Sequence, residues 1–143
     1  MVVPNKPVPM PDALRHYWTM WNEPDLDHVR RHLDLAVSVD FVFADPMHFH
    51  TGRDALEENV RTIRTNKPHY RFAIASELDV QNDCYRYEWH LLRKHRFLMN
   101  GFDIAQINTD GQLARVDGFF EDLVPVADLD SGIPESLRTE GRT

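Results

Sequence analysis

The sequence predicts an α+β fold in which a cone-shaped, curved antiparallel sheet is covered by three N-terminal helices. Helical spacing of apolar residues is confined to the first half of the chain, whereas the second half consists of consecutive strand-like runs separated by turn residues. Helices that precede a series of antiparallel strands gather on one face of the sheet. These observations together define the fold class.

The first two predicted helices form a helical hairpin. Apolar residues at i, i+3, i+4 and i+7 lie on one face of the first helix: Leu14, Tyr17, Trp18 and Trp21. We expect Asp12 to cap this helix. After the break NEPDLD, we expect Asp25 to cap the second helix.

A short strand and a third helix follow. SVDFVF alternates, so Val39, Phe41 and Phe43 share one face of a strand that leads into Asp45 and Pro46. The apolar spacing of the next segment predicts a helix from residue 51 or 52 to about residue 66. We expect the residues between this strand and this helix to form a short lid-like loop.

Four strand-like runs complete the predicted sheet: HYRFAIASELDV, CYRYEWHLLRKHRF, FLMNGFDIAQIN and QLARVDGFFEDLV. Turn residues occur at QND and NTDG. Long, curved strands under three helices can close into a cone with an apolar interior, which is a natural pocket for a small molecule.

Composition limits the domain organisation and the partners. A chain of 143 residues is long enough for one domain. We expect an extended arm at 1–11, the domain at 12–123 and a loosely held tail at 124–143. The net charge of −7 argues against a nucleic-acid partner. Because Cys84 is the only cysteine and no long apolar run is present, we expect a cytoplasmic protein without a membrane segment.

Asp45 is the first candidate site residue, because it ends an apolar strand. It can shape an Asp-Pro turn, or it can present an acid to the pocket. His48 and His50 follow it with H-x-H spacing, which can hold a metal when further ligands are present. We can place no third or fourth ligand, so we predict no metal site. The remaining interpretations are a histidine at the pocket mouth and a solvated loop histidine.

Asp103 is the second candidate, because it lies on an apolar face of its strand. Met99, Gly101, Ala105 and Ile107 share that face. Burial raises the pKa of a carboxyl until it is neutral and able to donate a hydrogen bond. The alternative is a buried acid that Tyr17 or a histidine satisfies without turnover, and Tyr17 itself can be a plain core residue.

Four segments together resemble the nuclear transport factor 2-like superfamily over residues 12–123: YWTMWNEPDLD, VFADP, GRDAL and GFDIAQINTDGQLARVDGFF. This superfamily, with its cystatin-like cone fold, includes SnoaL-like polyketide cyclases, ketosteroid isomerases, scytalone dehydratase and limonene epoxide hydrolase. The resemblance implies a homodimer formed through the outer face of the sheet. It does not specify a reaction, because one fold hosts many chemistries.

Three positions match the chemical groups of ketosteroid isomerase. Tyr17 stands before Asp25 of the helix turn as the catalytic tyrosine does in that family. Asp45 corresponds to its general base, and Asp103 to its oxyanion-stabilising acid. In the SnoaL-type cyclases, the catalytic aspartate of the last strand falls at Gly118 of this chain, and the neighbouring Asp117 faces the other side of the sheet.

The resemblance implies a SnoaL-like pocket protein that catalyses cofactor-independent proton transfer, of the isomerase or cyclase type, on an apolar carbonyl substrate. Asp45 would be the base, and Tyr17 and Asp103 would donate to the oxyanion. The expected ligand-binding residues are Trp18, Trp21, Phe43, His48, His50, Phe72, Trp89 and Phe120. Two alternatives stay open: a non-catalytic protein that holds an apolar ligand, and a hydrolase or dehydratase in which His48 or His50 acts with Asp45.

Overall fold

Seven strands form one open, curved sheet, and three α-helices cover one of its faces. The structure is a computed structural model that describes residues 7–125 and 132–139. The helices are α1 (Asp12–Trp21), α2 (Leu26–Ala36) and α3 (Arg53–Asn66). The strands are β1 (Val37–Ala44), β2 (Phe49–Thr51), β3 (Tyr70–Ile74), β4 (Asp79–Gln81), β5 (Cys84–Arg93), β6 (Arg96–Ile107) and β7 (Leu113–Phe120). A short 3-10 helix spans Glu135–Leu137.

The sheet order is β2-β1-β7-β6-β5-β3, with β4 also paired to β5. This arrangement confirms the predicted α+β fold class. The sheet differs from the prediction in one pairing, because β1 runs parallel to β7 whereas every other pair is antiparallel. A hairpin forces neighbouring strands to be antiparallel, and no hairpin joins β1 to β7 because all the other strands lie between them in the chain.

The helix starts follow the prediction with one exception. Asp25 caps α2, since its Oδ1 accepts a hydrogen bond from the Asp27 backbone N–H at 2.9 Å. The N-cap of α1 is Pro11, and Asp12 is the first helical residue. The prediction that Asp12 caps α1 is therefore wrong. Its carboxylate in the first turn still interacts favourably with the positive end of the helix dipole.

An irregularity in β1 changes which of its residues face the core. The pairing with β7 moves from Val37↔Leu113 to Val42↔Arg115, so β1 contains extra residues relative to its partner. Phe41 and Phe43 are buried as predicted, but Val39 is 74% exposed. The prediction for Val39 is wrong because strict alternation does not continue through a bulge.

Two connections also differ from the prediction. The first strand-like run is divided into β3 and β4, both of which pair with β5. The turn between β5 and β6 consists of Lys94 and His95, which adopt positive φ angles of 47° and 68°. It was not predicted because neither residue is a Gly, Asn or Asp. The predicted lid-like loop contains β2, which pairs with the end of β1.

The core lies between the helices and the concave face of the sheet. Its largest fully buried side chains include Tyr17, Phe41, Leu14 and Met20. Within the described ranges, no helix is long and apolar enough to cross a membrane. Part of the predicted arm (1–6) and parts of the predicted tail (126–131 and 140–143) lie outside the described residues, and the domain bounds remain a prediction.

Candidate active site

A mainly apolar cavity of about 190 Å³ lies between the helices and the concave face of the sheet. The three predicted catalytic residues, Tyr17, Asp45 and Asp103, all line it. Seven of the eight predicted ligand-binding residues also line it: Trp18, Trp21, Phe43, His48, Phe72, Trp89 and Phe120. The structure therefore brings the candidate catalytic groups to one space, while their roles remain predictions.

The register of adjacent strands brings the polar residues of the cavity close together. Across β5, β6 and β7, Tyr87 is opposite Asp103, and Asp103 is opposite Gly118. Residues that face each other in adjacent strands point to the same side of the sheet. The last residue of β1, Ala44, is opposite Asp117, so Asp45 follows beside Gly118. The sheet thus places the two acids on either side of a glycine.

Asp103 accepts hydrogen bonds on both carboxyl oxygens. The Tyr87 hydroxyl donates to Oδ2 at 2.9 Å, and Trp89 Nε1 donates to Oδ1 at 2.9 Å. Trp18 Nε1 in turn donates to the Tyr87 oxygen at 3.0 Å. An indole N–H only donates, so the Trp18 contact leaves the Tyr87 hydrogen free to point at Asp103. Two neighbouring side chains therefore stabilise the ionised form of Asp103.

Burial acts on Asp103 in the opposite direction. Removal from water raises the pKa of this carboxyl, the hydrogen bonds from Trp89 and Tyr87 lower it, and the charges of Asp45 and Asp117 raise it again, to about 7. Burial also raises the pKa of the Tyr17 phenol well above its usual value, and the Asp103 charge adds to this rise. Near neutral pH, Asp103 can therefore exchange a proton while Tyr17 stays protonated.

Two glycines allow the cavity to form around Asp103. A Cβ on Gly118 would lie 3.1 Å from Asp103 Oδ1 and 3.5 Å from Asp45 Cβ, so the two acids approach one common point. A Cβ on Gly101 would lie 2.1 Å from Trp89 Cζ2. The Trp89 indole therefore lies flat on the backbone of β6, where it can reach Asp103.

Asp45 shapes a turn and lines the cavity at the same time. Its Oδ1 accepts hydrogen bonds from the backbone N–H groups of Met47, at 2.8 Å, and His48, at 2.7 Å. His48 Nδ1 lies 3.1 Å from the same oxygen. These contacts fix the orientation of the Asp45 side chain. Asp45 can therefore shape the Asp-Pro turn and present an acid to the cavity at the same time.

The two histidines occupy different environments. His48 lies beside Asp45 and lines the cavity, whereas the His50 ring stacks on Phe43 with its centroid 6.0 Å away. His50 is absent from the cavity lining, so the structure does not place it with the other predicted ligand-binding residues. Among residues 7–125 and 132–139, no group of three or more His, Cys, Asp or Glu side chains is arranged to hold a metal ion.

Sequence reasoning missed two polar residues of the site. Tyr87 is on the same strand face as Trp89, but only the register of β5 against β6 pairs it with Asp103. Asn59 of α3 lines the cavity and is buried, with 8% of its surface exposed. It lies one helical turn before Ile63, which also lines the cavity, and this spacing is the sequence feature that could have identified it.

Asp117 faces away from the cavity. Its carboxylate accepts hydrogen bonds from Arg115 Nε at 2.8 Å and from Arg115 Nη2 at 3.0 Å on the outer side of the sheet. Gly118, one residue later, lines the cavity. The acid of the cavity's polar centre is therefore contributed by β6 and not by β7.

Comparisons with known proteins identify the fold family. No family model matches the chain, and no curated protein matches it. A solved structure of a candidate isomerase of the SnoaL-like family from Agrobacterium tumefaciens strain C58 is 25% identical, with a TM-score of 0.72 over 77% of this chain and 95% of that chain.

Two further structures are less similar in sequence. An NTF2-like protein of unknown function from Exiguobacterium species 255-15 is 19% identical, with a TM-score of 0.64 over 78% of this chain and 99% of that one. A candidate SnoaL-like polyketide cyclase from Jannaschia species CCS1 is 13% identical, with a TM-score of 0.61 over 92% of this chain and 100% of that one. The chain therefore has the nuclear transport factor 2-like fold, and the solved structures that are similar to it include SnoaL-like proteins.

Proposed function

We propose that the protein catalyses cofactor-independent proton transfer, of the isomerase or cyclase type, on a small and mainly apolar carbonyl compound. The observation that carries this proposal is that two acidic residues, Asp45 and Asp103, lie on either side of Gly118 and line the same apolar cavity. In the proposed reaction, Asp45 removes a proton next to the carbonyl carbon. Asp103 and Tyr17 donate hydrogen bonds to the oxygen that becomes negatively charged.

The different surroundings of the two acids support different roles. Asp45 is held in a fixed orientation at the cavity by backbone N–H donors, which suits a positioned base. Asp103 is fully buried, and burial together with the nearby Asp45 charge raises its pKa to about 7. One acid can then be ionised while the other carries a proton, which is the arrangement that separates a base from an oxyanion donor.

The size and polarity of the cavity support a small apolar substrate. Its volume of about 190 Å³ is below the roughly 300–1,000 Å³ of pockets for drug-sized ligands. Aromatic side chains from α1, β3, β5 and β7 form much of the wall. The likeness to a candidate SnoaL-like isomerase is consistent with this chemistry.

A second candidate reaction is hydrolysis or dehydration, and one contact favours it. His48 Nδ1 lies 3.1 Å from Asp45 Oδ1, so the pair could hold and activate a water molecule. Non-catalytic binding of an apolar ligand is the remaining candidate, because the same cavity could serve it. A proton-exchange experiment separates the proposed function from these two candidates.

Exchange of substrate protons with deuterated water tests the proposal with simple model ketones in place of the natural substrate. A panel of small ketones is incubated with the protein in D₂O, and loss of the signal from protons next to the carbonyl is followed by ¹H NMR. Asp45→Asn should slow the exchange by roughly 100-fold or more, because a positioned base contributes 10²–10⁴-fold. Asp103→Asn should slow it as well.

Asp117→Asn is the matched control, because Asp117 is an acid on the outer face of the same sheet. Equal exchange rates in the wild type and in both cavity variants would contradict the proposal. Exchange that survives Asp45→Asn but is lost in His48→Gln would identify His48 as the base and contradict the role proposed for Asp45. Ligand binding without any exchange would favour the binding protein.

A further inference from the structure

Two buried nitrogen donors at the helical wall of the cavity have no hydrogen-bond partner within the described part of the chain. They are Nδ2 of Asn59 in α3 and Nε1 of Trp21 at the end of α1, and both residues line the cavity. Asn59 has 8% and Trp21 has 5% of its surface exposed. Buried polar atoms are nearly always paired, so two unpaired donors on one cavity wall need an explanation.

The two donors are chemically alike, which indicates what would satisfy them. An indole N–H can only donate, and an amide NH₂ group donates two hydrogen bonds. Both therefore need an acceptor, and neither can satisfy the other. Trp21 Nε1 is near enough to the Tyr17 hydroxyl to counteract part of the rise in the pKa of that phenol, but without hydrogen-bond geometry.

Asn59 lies on a different element from every group that the proposed reaction uses. Asn59 belongs to α3, whereas Tyr17 and its neighbour Trp21 belong to α1, Asp103 lies in β6 and Asp45 follows β1. The acids have donors of their own on the sheet and in the β1–β2 turn. An oxygen bound by Asn59 would therefore be a second oxygen of the substrate, separate from the carbonyl that Tyr17 and Asp103 bind.

We propose that Asn59 is a specificity-determining residue that binds a second oxygen acceptor of the substrate. This inference rests on the proposed function, because it assigns the substrate class of the same cavity. The substrate would be a small carbonyl compound with an additional acceptor oxygen, such as a dione or an oxo acid. A compound with one oxygen would leave a buried donor unpaired and would therefore bind more weakly than a compound with two.

Binding of three matched probes tests the assignment: cyclohexanone, 1,4-cyclohexanedione and 4-oxocyclohexanecarboxylate. All three tryptophans of the chain line the cavity, so quenching of tryptophan fluorescence reports occupancy. The wild type should bind at least one of the two-oxygen probes roughly tenfold more tightly than cyclohexanone, as expected for one hydrogen bond. The dione and the acid distinguish a neutral second acceptor from a charged one.

Asn59→Leu keeps a similar volume and removes the donor. It should abolish the preference for the two-oxygen probe. Because an unpaired buried group is removed, its Tm should be unchanged or higher. Asn22→Leu is the control, because the Asn22 amide oxygen accepts from the Phe72 backbone N–H at 2.8 Å and its nitrogen donates to the Phe72 C=O at 2.9 Å, so its Tm should fall.

Three results would overturn the inference: no preference for a second oxygen in the wild type at millimolar probe concentrations, an unchanged preference in Asn59→Leu, or a lowered Tm or failure to fold in that variant. The deuterium-exchange assay keeps this inference separate from the proposed function. A preference that depends on Asn59 without any exchange would leave the recognition site and refute the catalysis. Exchange without that preference would support the catalysis and refute the recognition site.

Discussion

At the scale of single residues, the proton of Asp103 is balanced between two opposing effects. Complete burial favours the neutral carboxyl, whereas donation from Tyr87 and Trp89 favours the carboxylate. The result is a pKa of about 7, compared with an ordinary value of 3.8. Perturbed carboxyls of this kind are typical of functional sites, although ion-pair networks can also produce them.

The raised pKa of Asp103 predicts that the protein becomes less stable as the pH rises. In the pH window between 3.8 and about 7, the folded state keeps a proton that the unfolded state has lost. The stabilisation is therefore complete below the lower value and is lost as the pH passes the higher one. Between pH 5 and pH 8, this group should lower the free energy of unfolding by about 3 kcal/mol.

Urea unfolding of the wild type and of Asp103→Asn at both pH values measures this contribution. The variant has no proton to release, so its stability should decrease less over the same pH range. Asp117→Asn, on the outer face, should keep the pH dependence of stability, with its midpoint at lower pH because the Asp117 charge raises the pKa of Asp103. Parallel pH dependences of the wild type and Asp103→Asn would show that Asp103 does not titrate in this window.

At the scale of elements, the register of three strands builds the polar centre of the cavity. Sequence alternation identified the faces of β5 and β6 correctly, including the apolar stripe around Asp103. It could not pair Tyr87 with Asp103, because register depends on turns and bulges that have weak sequence features. The turn at Lys94 and His95 and the bulge in β1 are two of the places where local pattern failed.

Gly118 tests whether the space between the two acids is used. Gly118→Ala places a methyl group 3.1 Å from Asp103 Oδ1, and its neighbours must move by a few tenths of an ångström to accept it. We expect a folded protein in which proton exchange on the ketone panel falls by roughly tenfold or more, since misplacement of reacting groups by about 1 Å can cost about 100-fold. Far-UV circular dichroism and the exchange assay give the two measurements.

Gly111→Ala is a suitable control for that variant. Gly111 has a φ of +79° and no atom within 4 Å of the added Cβ, so the substitution strains a turn without reaching the cavity. It should lower stability and leave the exchange rate unchanged. A Gly118→Ala protein with full activity would show that the space between the carboxyls is not the reaction site.

At the scale of the whole molecule, the outer face of the sheet carries apolar side chains in addition to charged ones. Phe119 is 59% exposed and Ile104 is 39% exposed, and they lie on the adjacent strands β7 and β6. Phe102 is opposite Phe119 on the same face. We propose that this surface forms the homodimer interface that the sequence resemblance implies, because an isologous contact would bury these side chains.

Sedimentation of two charged variants tests the dimer. Phe119→Asp should convert the dimer to a monomer, because it places a charge at the centre of the proposed interface. Leu35→Glu, which alters an exposed apolar residue of α2, should leave the oligomeric state unchanged. A wild type that sediments as a monomer, or a Phe119→Asp protein that remains dimeric, would contradict the proposal.

The sequence predicted more of the fold than of the site. Helical spacing, alternation and the Asp25 cap were enough for the α+β class, and all three predicted catalytic residues line one cavity. Asn59 was missed because its side chain reaches the cavity only through the packing of α3 over the sheet. His50 was included because it follows His48 so closely, but the pairing of β2 with β1 carries its ring onto Phe43.

The central claim is that Asp103, in the apolar cavity that Asp45 also lines, keeps its proton up to near neutral pH. Carboxyl ¹³C NMR titration of the wild type and of the Asp45→Asn and Asp103→Asn variants tests it most directly. We predict one aspartate with a midpoint near pH 7, absent in Asp103→Asn and shifted to lower pH in Asp45→Asn, because the Asp45 charge raises the pKa of Asp103. Aspartates that all titrate at ordinary values, or a midpoint near pH 7 that persists in Asp103→Asn, would contradict the claim.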